Sequence, residues 1–208
     1  MGVDDTYFTA SRMVRRATVI FLEWLNHERG GLTVNGSRYS MRFTWVNDSS
    51  SAELVPNATA FVLREQSADF AFGPYSSGLT TWATQQSALD GKLMLASTAA
   101  TPSVYEHNNL TFGTLPPTTE YMRSSMAAVA AAAAQCDAGE STADCANECA
   151  RSFDTTGAST CLGAIRVGLI QEDTLFTRSV CSSAEAQATA LASTSRYRYM
   201  ILLRDTVT

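Results

Sequence analysis

Asp69-Phe-Ala-Phe-Gly73-Pro74-Tyr75-Ser76-Ser77-Gly78-Leu79-Thr80 reads as a short apolar strand, a sharp turn at Gly73-Pro74, two hydroxyls, and a helix beginning near Thr80. A strand running straight into a helix leaves backbone N–H groups pointing outward at the join. With the positive end of the helix dipole, those groups attract a carboxylate or a phosphate. Ser76 and Ser77 add donors at the same place. The plainer reading is that these serines only cap the helix, a position where serine is favoured.

Outward from this join, the chain alternates strands and helices. Residues 6–29 carry Phe8, Met13, Ala17, Ile20, Phe21, Trp24 and Leu25 at helical spacing, and Gly30-Gly31 ends that helix. Its apolar residues, Phe8, Ile20 and Trp24 among them, are expected in the core. Residues 39–45 alternate strictly and read as a strand, and 52–67 as a helix. Then come a strand at 69–73, a helix at 80–89, a strand from Leu93 to Ala96, and a polar loop, Ser97-Thr-Ala-Ala-Thr101-Pro102. Leu110 to Gly113 is a short strand, and Thr119 caps a helix running to about Gln135. Ile165 to Ile170 and Tyr197 to Leu203 read as strands flanking a helix over 174–192. This order predicts an α/β protein, doubly wound, with a mostly parallel sheet.

Composition narrows the function. The chain has 208 residues, 45% hydrophobic, with net charge −5 and no basic cluster, so nucleic-acid binding lacks its electrostatic footprint. No apolar run approaches the roughly 20 residues that span a bilayer. Residues 1–10 carry Asp4 and Asp5, and no compact apolar block precedes Phe21, so no signal peptide is read there. Two features nevertheless point to an oxidising, extracellular setting. Four glycosylation sequons begin at Asn35, Asn47, Asn57 and Asn109. Cys136, Cys145, Cys149 and Cys161 are spaced C-x8-C-x3-C-x11-C, which fits no common zinc pattern. Two disulfides within an insertion at 136–163 are expected, with three pairings open, and Cys181 is left over.

Six stretches, in order, resemble the type I periplasmic-binding fold. They are Asn26-His-Glu-Arg-Gly30-Gly31, Trp45-Val-Asn-Asp48, Phe72-Gly73-Pro74-Tyr75-Ser76-Ser77, Ser97-Thr-Ala-Ala-Thr101-Pro102, Phe112-Gly113-Thr114-Leu115-Pro116, and Ile170-Gln-Glu-Asp173 with Phe176. The fold is that of branched-chain amino-acid binding proteins and of related receptor ectodomains. The resemblance implies two lobes, 1–118 and the start of a second at 119–208, with ligand at the carboxyl ends of the strands between them. It implies that Ser77, with Ser76 beside it, meets a ligand carboxylate. Ala99, Ala100 and Thr101 hold the ligand's charged head, and Phe176 closes over it. No cofactor or metal is implied. A homodimer through first-lobe helices is implied, as in the receptor ectodomains.

The chain departs from the family in three ways. No apolar strand precedes the first helix, the second lobe stops after two strands, and the bacterial proteins lack the cysteine-rich insertion. The sequence thus reads as a partial copy with its first strand missing, closer to a receptor-like relative, with any membrane attachment lying in segments outside these residues. The expected function is an extracellular sensor region for a small amino-acid-like or anionic ligand. The alternatives are a transporter's solute-binding protein and a ligand-free dimerisation module. A serine hydrolase is disfavoured. Gly73-Pro-Tyr-Ser76 is one residue too long for the nucleophile elbow, and the only histidines, His27 and His107, read as surface residues.

Overall fold

The structure is a computed structural model and describes residues 7–137, 166–169, 171–194 and 200–203. It divides into two compact units, Met1–Leu115 and Pro116–Thr208.

The first unit is built on a three-stranded parallel sheet. β3 (Phe70–Phe72) pairs with β4 (Leu93–Ala96), and β4 with β5 (Thr111–Gly113). The register sets Phe72 against Leu95, and Ala96 against Gly113. Parallel neighbours need a crossover, and α3 (Ser77–Leu89) supplies it between β3 and β4. A short 3-10 turn, Pro102–Tyr105, lies between β4 and β5. Under the sheet, α2 (Val55–Ala60) continues as one turn of π-helix, Phe61–Glu65.

The core here joins Val55 and Leu63 to Ala71, Leu79, Ala83 and Met94. Met94 and Val55 are almost wholly enclosed, and each such side chain contributes about 1.5–3 kcal/mol. The face of α3 toward this core also carries small hydroxyls. Thr80, Thr84 and Ser87 are fully buried. Thr80 and Thr84 return their hydroxyls to carbonyls four residues back, and Ser87 Oγ donates to Lys92 O at 2.6 Å. Polar side chains with their hydrogen bonds made locally cost little to bury.

Two expectations are corrected here. Residues 40–48 carry no strand, and of the expected strand over 39–45 only Tyr39 lies in one. Tyr39 belongs to β2 (Ser37–Tyr39), which forms an antiparallel hairpin with β1 (Leu32–Val34). Both backbone groups of Met41 are taken by the Asn26 side chain, at 2.8 and 2.9 Å, and that occupies the start of any ladder. Phe43 still reaches the sheet, with its ring 5.0 Å from that of Phe72.

The second correction concerns α1 (Phe8–Glu23), which continues as π-helix through Trp24–Glu28. It buries none of its own residues, and Phe8, Met13, Ile20, Phe21 and Trp24 are 46–67% exposed. An amphipathic helix buries its stripe only where a sheet face lies beneath it. Among the described residues, no strand pairs with the outer edge of β3. Leu25 alone of this segment is buried.

The second unit starts with a 3-10 turn, Thr118–Glu120, followed by α4 (Arg123–Asp137). β6 (Arg166–Leu169) pairs in parallel with β7 (Met200–Leu203), and α5 (Leu175–Thr194) lies between them in sequence. Thr118 is buried, with its hydroxyl 2.6 Å from that of Ser179, and Ser183 Oγ donates to Thr119 O at 2.8 Å. Leu169, Cys181 and Ala184 form a small core with Met122 against it. The cysteines of the expected disulfides, Cys145, Cys149 and Cys161 with the Cys136 side chain, lie outside the described residues. Among the described residues, no helix is long and apolar enough to cross a membrane.

Candidate functional site

The join that opens the sequence becomes the head of α3, one turn earlier than expected. The helix begins at Ser77 rather than near Thr80, because Ser76 is its cap: Leu79 N–H donates to Ser76 Oγ at 3.3 Å. Ser76 holds φ at +94°, a backbone conformation that side chains rarely adopt and that costs about 1–3 kcal/mol. The cap leaves the N–H groups of Ser77 and Gly78, in the first turn, without an acceptor inside the helix.

Ser77 faces inward, with only 1% of its surface exposed. Its Oγ accepts from the N–H groups of Ala100 and Thr101, at 3.2 and 3.4 Å. The second serine therefore joins the helix head to the loop after β4, and its own hydroxyl hydrogen remains to be donated. Two hydroxyls secure the turn below: Thr80 and Thr98 both donate to Pro74 O, at 2.9 and 3.0 Å.

Ala99, Ala100 and Thr101 are all buried. Thr101 Oγ1 has no hydrogen-bond partner, although the residue is only 3% exposed. A buried hydroxyl left unpaired is uncommon and costs about 1–3 kcal/mol. The structure therefore brings Ser76, Ser77, Ala99, Ala100 and Thr101 together where strands β3 and β4 give way to the loops that follow them.

Phe176 lies in the second unit, near the start of α5. It is half-buried, with its ring set edge-on to Tyr121 at 5.6 Å. Neither histidine is placed to serve Ser76. His27 is exposed in the π-helical turn, and His107 Nε2 lies 3.5 Å from Gln85 Nε2, well down α3. No cluster of three or more metal-ligating side chains occurs among the described residues.

Sequence reasoning missed Tyr105. Its hydroxyl donates to Ala99 O at 2.7 Å. The signal available was Gly113, a glycine inside a strand, which often marks a close approach by another group.

No protein-family model matches the chain, and no curated protein matches it. Solved structures do. The substrate-binding protein of an ABC transporter from Desulfitobacterium hafniense, in complex with leucine, is similar at TM-score 0.62 and 14% identity, over 91% of this chain and 45% of that one. The branched-chain amino-acid substrate-binding protein LivJ from Streptococcus pneumoniae, in complex with isoleucine, is similar at TM-score 0.56 and 12% identity, over 89% and 41%. A solute-binding protein from Rhodopseudomonas palustris, in complex with 3,4-dihydroxybenzoic acid, is similar at TM-score 0.57 and 9% identity, over 86% and 40%. The chain thus has the type I periplasmic-binding fold and spans less than half the length of these relatives.

Proposed function

We propose that this chain is the ligand-binding region of an extracellular protein and takes a small carboxylate-bearing molecule, amino-acid-like or otherwise anionic, at the head of α3. The observation that carries the reading is the unpaired, buried hydroxyl of Thr101 beside a helix start whose cap leaves the Ser77 and Gly78 N–H groups without a helical acceptor. The N–H groups of Ser77 and Gly78 and the hydroxyls of Ser77 and Thr101 form a neutral donor set. Such a set, with the helix dipole behind it, suits a carboxylate. The strained backbone at Ser76 also supports a site there, since such strain gathers at ligand clamps. Phe176 is proposed as a further, aromatic contact for the ligand.

The same site serves a receptor-like sensor or a transporter's solute-binding protein. The structural likeness supports a solute-binding role. All four sequon asparagines, Asn35, Asn47, Asn57 and Asn109, are exposed, which supports a glycosylated, receptor-like setting. One observation favours a different reading, a dimerisation module, because α1 leaves Met13, Ile20 and Trp24 uncovered.

The test uses Thr101→Val, which removes a hydroxyl that makes no bond in the ligand-free fold. Calorimetry across a panel of amino acids and small carboxylates should show about tenfold weaker binding with an unchanged or raised melting temperature. Unchanged affinity for every bound carboxylate would end the reading. No binding at all, together with a dimer in sedimentation, would favour the module.

A further inference from the structure

The two loops that frame the site offer several donors, and six of their carbonyls are already engaged. The carbonyls of Pro74, Ser76, Ser77, Ser97, Ala99 and Thr101 each already accept a hydrogen bond from within the protein. Between Gly73 and Tyr105 the only charged residues are Asp90 and Lys92, both beyond the far end of α3. Asp90 is joined to Arg64 at 2.7 Å. Neither loop holds a carboxylate. A ligand carboxylate finds partners here, whereas an α-ammonium group would mostly have to share carbonyls that already hold a hydrogen bond, with no carboxylate to offset its charge.

The Ala99 carbonyl, in the loop after β4, is engaged by one side chain. Ala99 is fully buried, and Tyr105 Oη donates to it at 2.7 Å. The phenol has room only because residue 113 is glycine. A Cβ at Gly113 would stand 2.3 Å from Tyr105 Oη and 2.8 Å from Cζ. The β4–β5 register, which sets Ala96 beside Gly113, brings this glycine next to the start of the binding loop.

We infer that Tyr105 sets the specificity of the site. By holding the Ala99 carbonyl, it selects a carboxylate that lacks an α-ammonium group over the corresponding amino acid. This rests on the carboxylate-binding reading above and narrows its ligand class. Tyr105 acts through the loop, as a positioning residue. Its effect should therefore appear as a change in the ratio of two affinities, which a loss of general stability would not produce.

The experiment compares matched pairs by calorimetry: 4-methylpentanoate with leucine, and 3-phenylpropanoate with phenylalanine. Each pair differs only in the ammonium group. The full chain should bind the deaminated member of at least one pair about tenfold or more tightly. Tyr105→Phe frees the Ala99 carbonyl and should narrow that ratio by about threefold or more. Gly113→Ala displaces the phenol from outside the loop and should act in the same direction. Equal or tighter binding of leucine and phenylalanine by the wild-type chain overturns the inference and leaves the carboxylate site standing. A ratio unmoved in both variants overturns the role of Tyr105. Binding of neither member of either pair removes the carboxylate site and the inference together.

Discussion

Gly73, just past the end of β3, lies against the Thr80 side chain of α3: a Cβ on Gly73 would come 2.9 Å from Thr80 Cγ2 and 3.3 Å from its Oγ1. Thr80 is fully buried and its hydroxyl is shared between Pro74 O and Ser76 O, so it has little freedom to yield. Gly73→Ala should destabilise the protein by about 1–3 kcal/mol, the usual range for overpacking. Adding Thr80→Ser removes the crowded methyl and keeps the hydroxyl, so the double variant should recover part of the loss. Urea melts of the three proteins check this. A double variant no more stable than Gly73→Ala alone would place the strain elsewhere.

The two serines at the head of α3 should respond in different ways. Ser76→Gly relieves the positive φ and gives up one cap, and glycine caps cost only a few tenths of a kcal/mol, so stability should hold or rise by up to about 1 kcal/mol. Ser77→Ala leaves the buried N–H groups of Ala100 and Thr101 without their acceptor and should cost about 1–3 kcal/mol. Thermal melts of both variants would show whether this order holds.

Asp90 supplies a pH signature. Burial acts to raise its pKa, but hydrogen bonds from Gln86 and Arg64, with the charges of Arg64 and Lys92, outweigh that and hold the carboxyl below its ordinary value. A carboxylate with a lowered folded-state pKa stabilises the fold above its unfolded value of about 4, and loses that contribution as pH falls through the folded value. Arg64 is more than half exposed, so the contribution is about 0.5–1 kcal/mol. Asp90→Asn should be less stable than wild type by that amount at neutral pH. The gap should close as pH falls below about 4. A gap that stays constant to the lowest pH at which the fold survives would contradict it.

Cys181 should be inert in the folded protein. It is buried against Leu169 and Ala184, and burial, followed by the nearby Glu185 charge, raises its thiol pKa. The thiolate is the reacting form, so alkylation by iodoacetamide at pH 8 should wait on unfolding. Peptide mapping of native and urea-treated samples reads this at one residue, whatever the other cysteines do.

Strands with one sealed face were legible in the chain. β4 matches its expected limits, Leu93 to Ala96, because Met94 and Ala96 alternate inward. Residues 39–45 alternate just as clearly, yet alternation reports two faces and not a neighbour, and among the described residues no strand pairs with residues 40–45. The hairpin was overlooked although its turn is Asn35-Gly36, with φ of 49° and 81° at those residues. The same pair opens the sequon Asn35-Gly36-Ser37, so one dipeptide carries both signals. At the site, residue types were legible but their directions were not. Two serines after a turn suggest a cap, but only the fold shows that Ser76 turns back to the helix and Ser77 reaches residues 23 and 24 positions later. Tyr105 was silent for the same reason, since its role needs Gly113 and Ala99 brought beside it.

The far end of α3 is held as tightly as its head. Ser87 Oγ donates to Lys92 O and accepts from Asn108 Nδ2, and Asn108 Oδ1 in turn receives Leu110 N–H. Anchored at both ends by these hydrogen bonds, the helix is built as a strut between the two loops. Divergence in ligand taste among relatives with this arrangement would then be written in the short loop after β4, whose length and side chains can change without moving the beam.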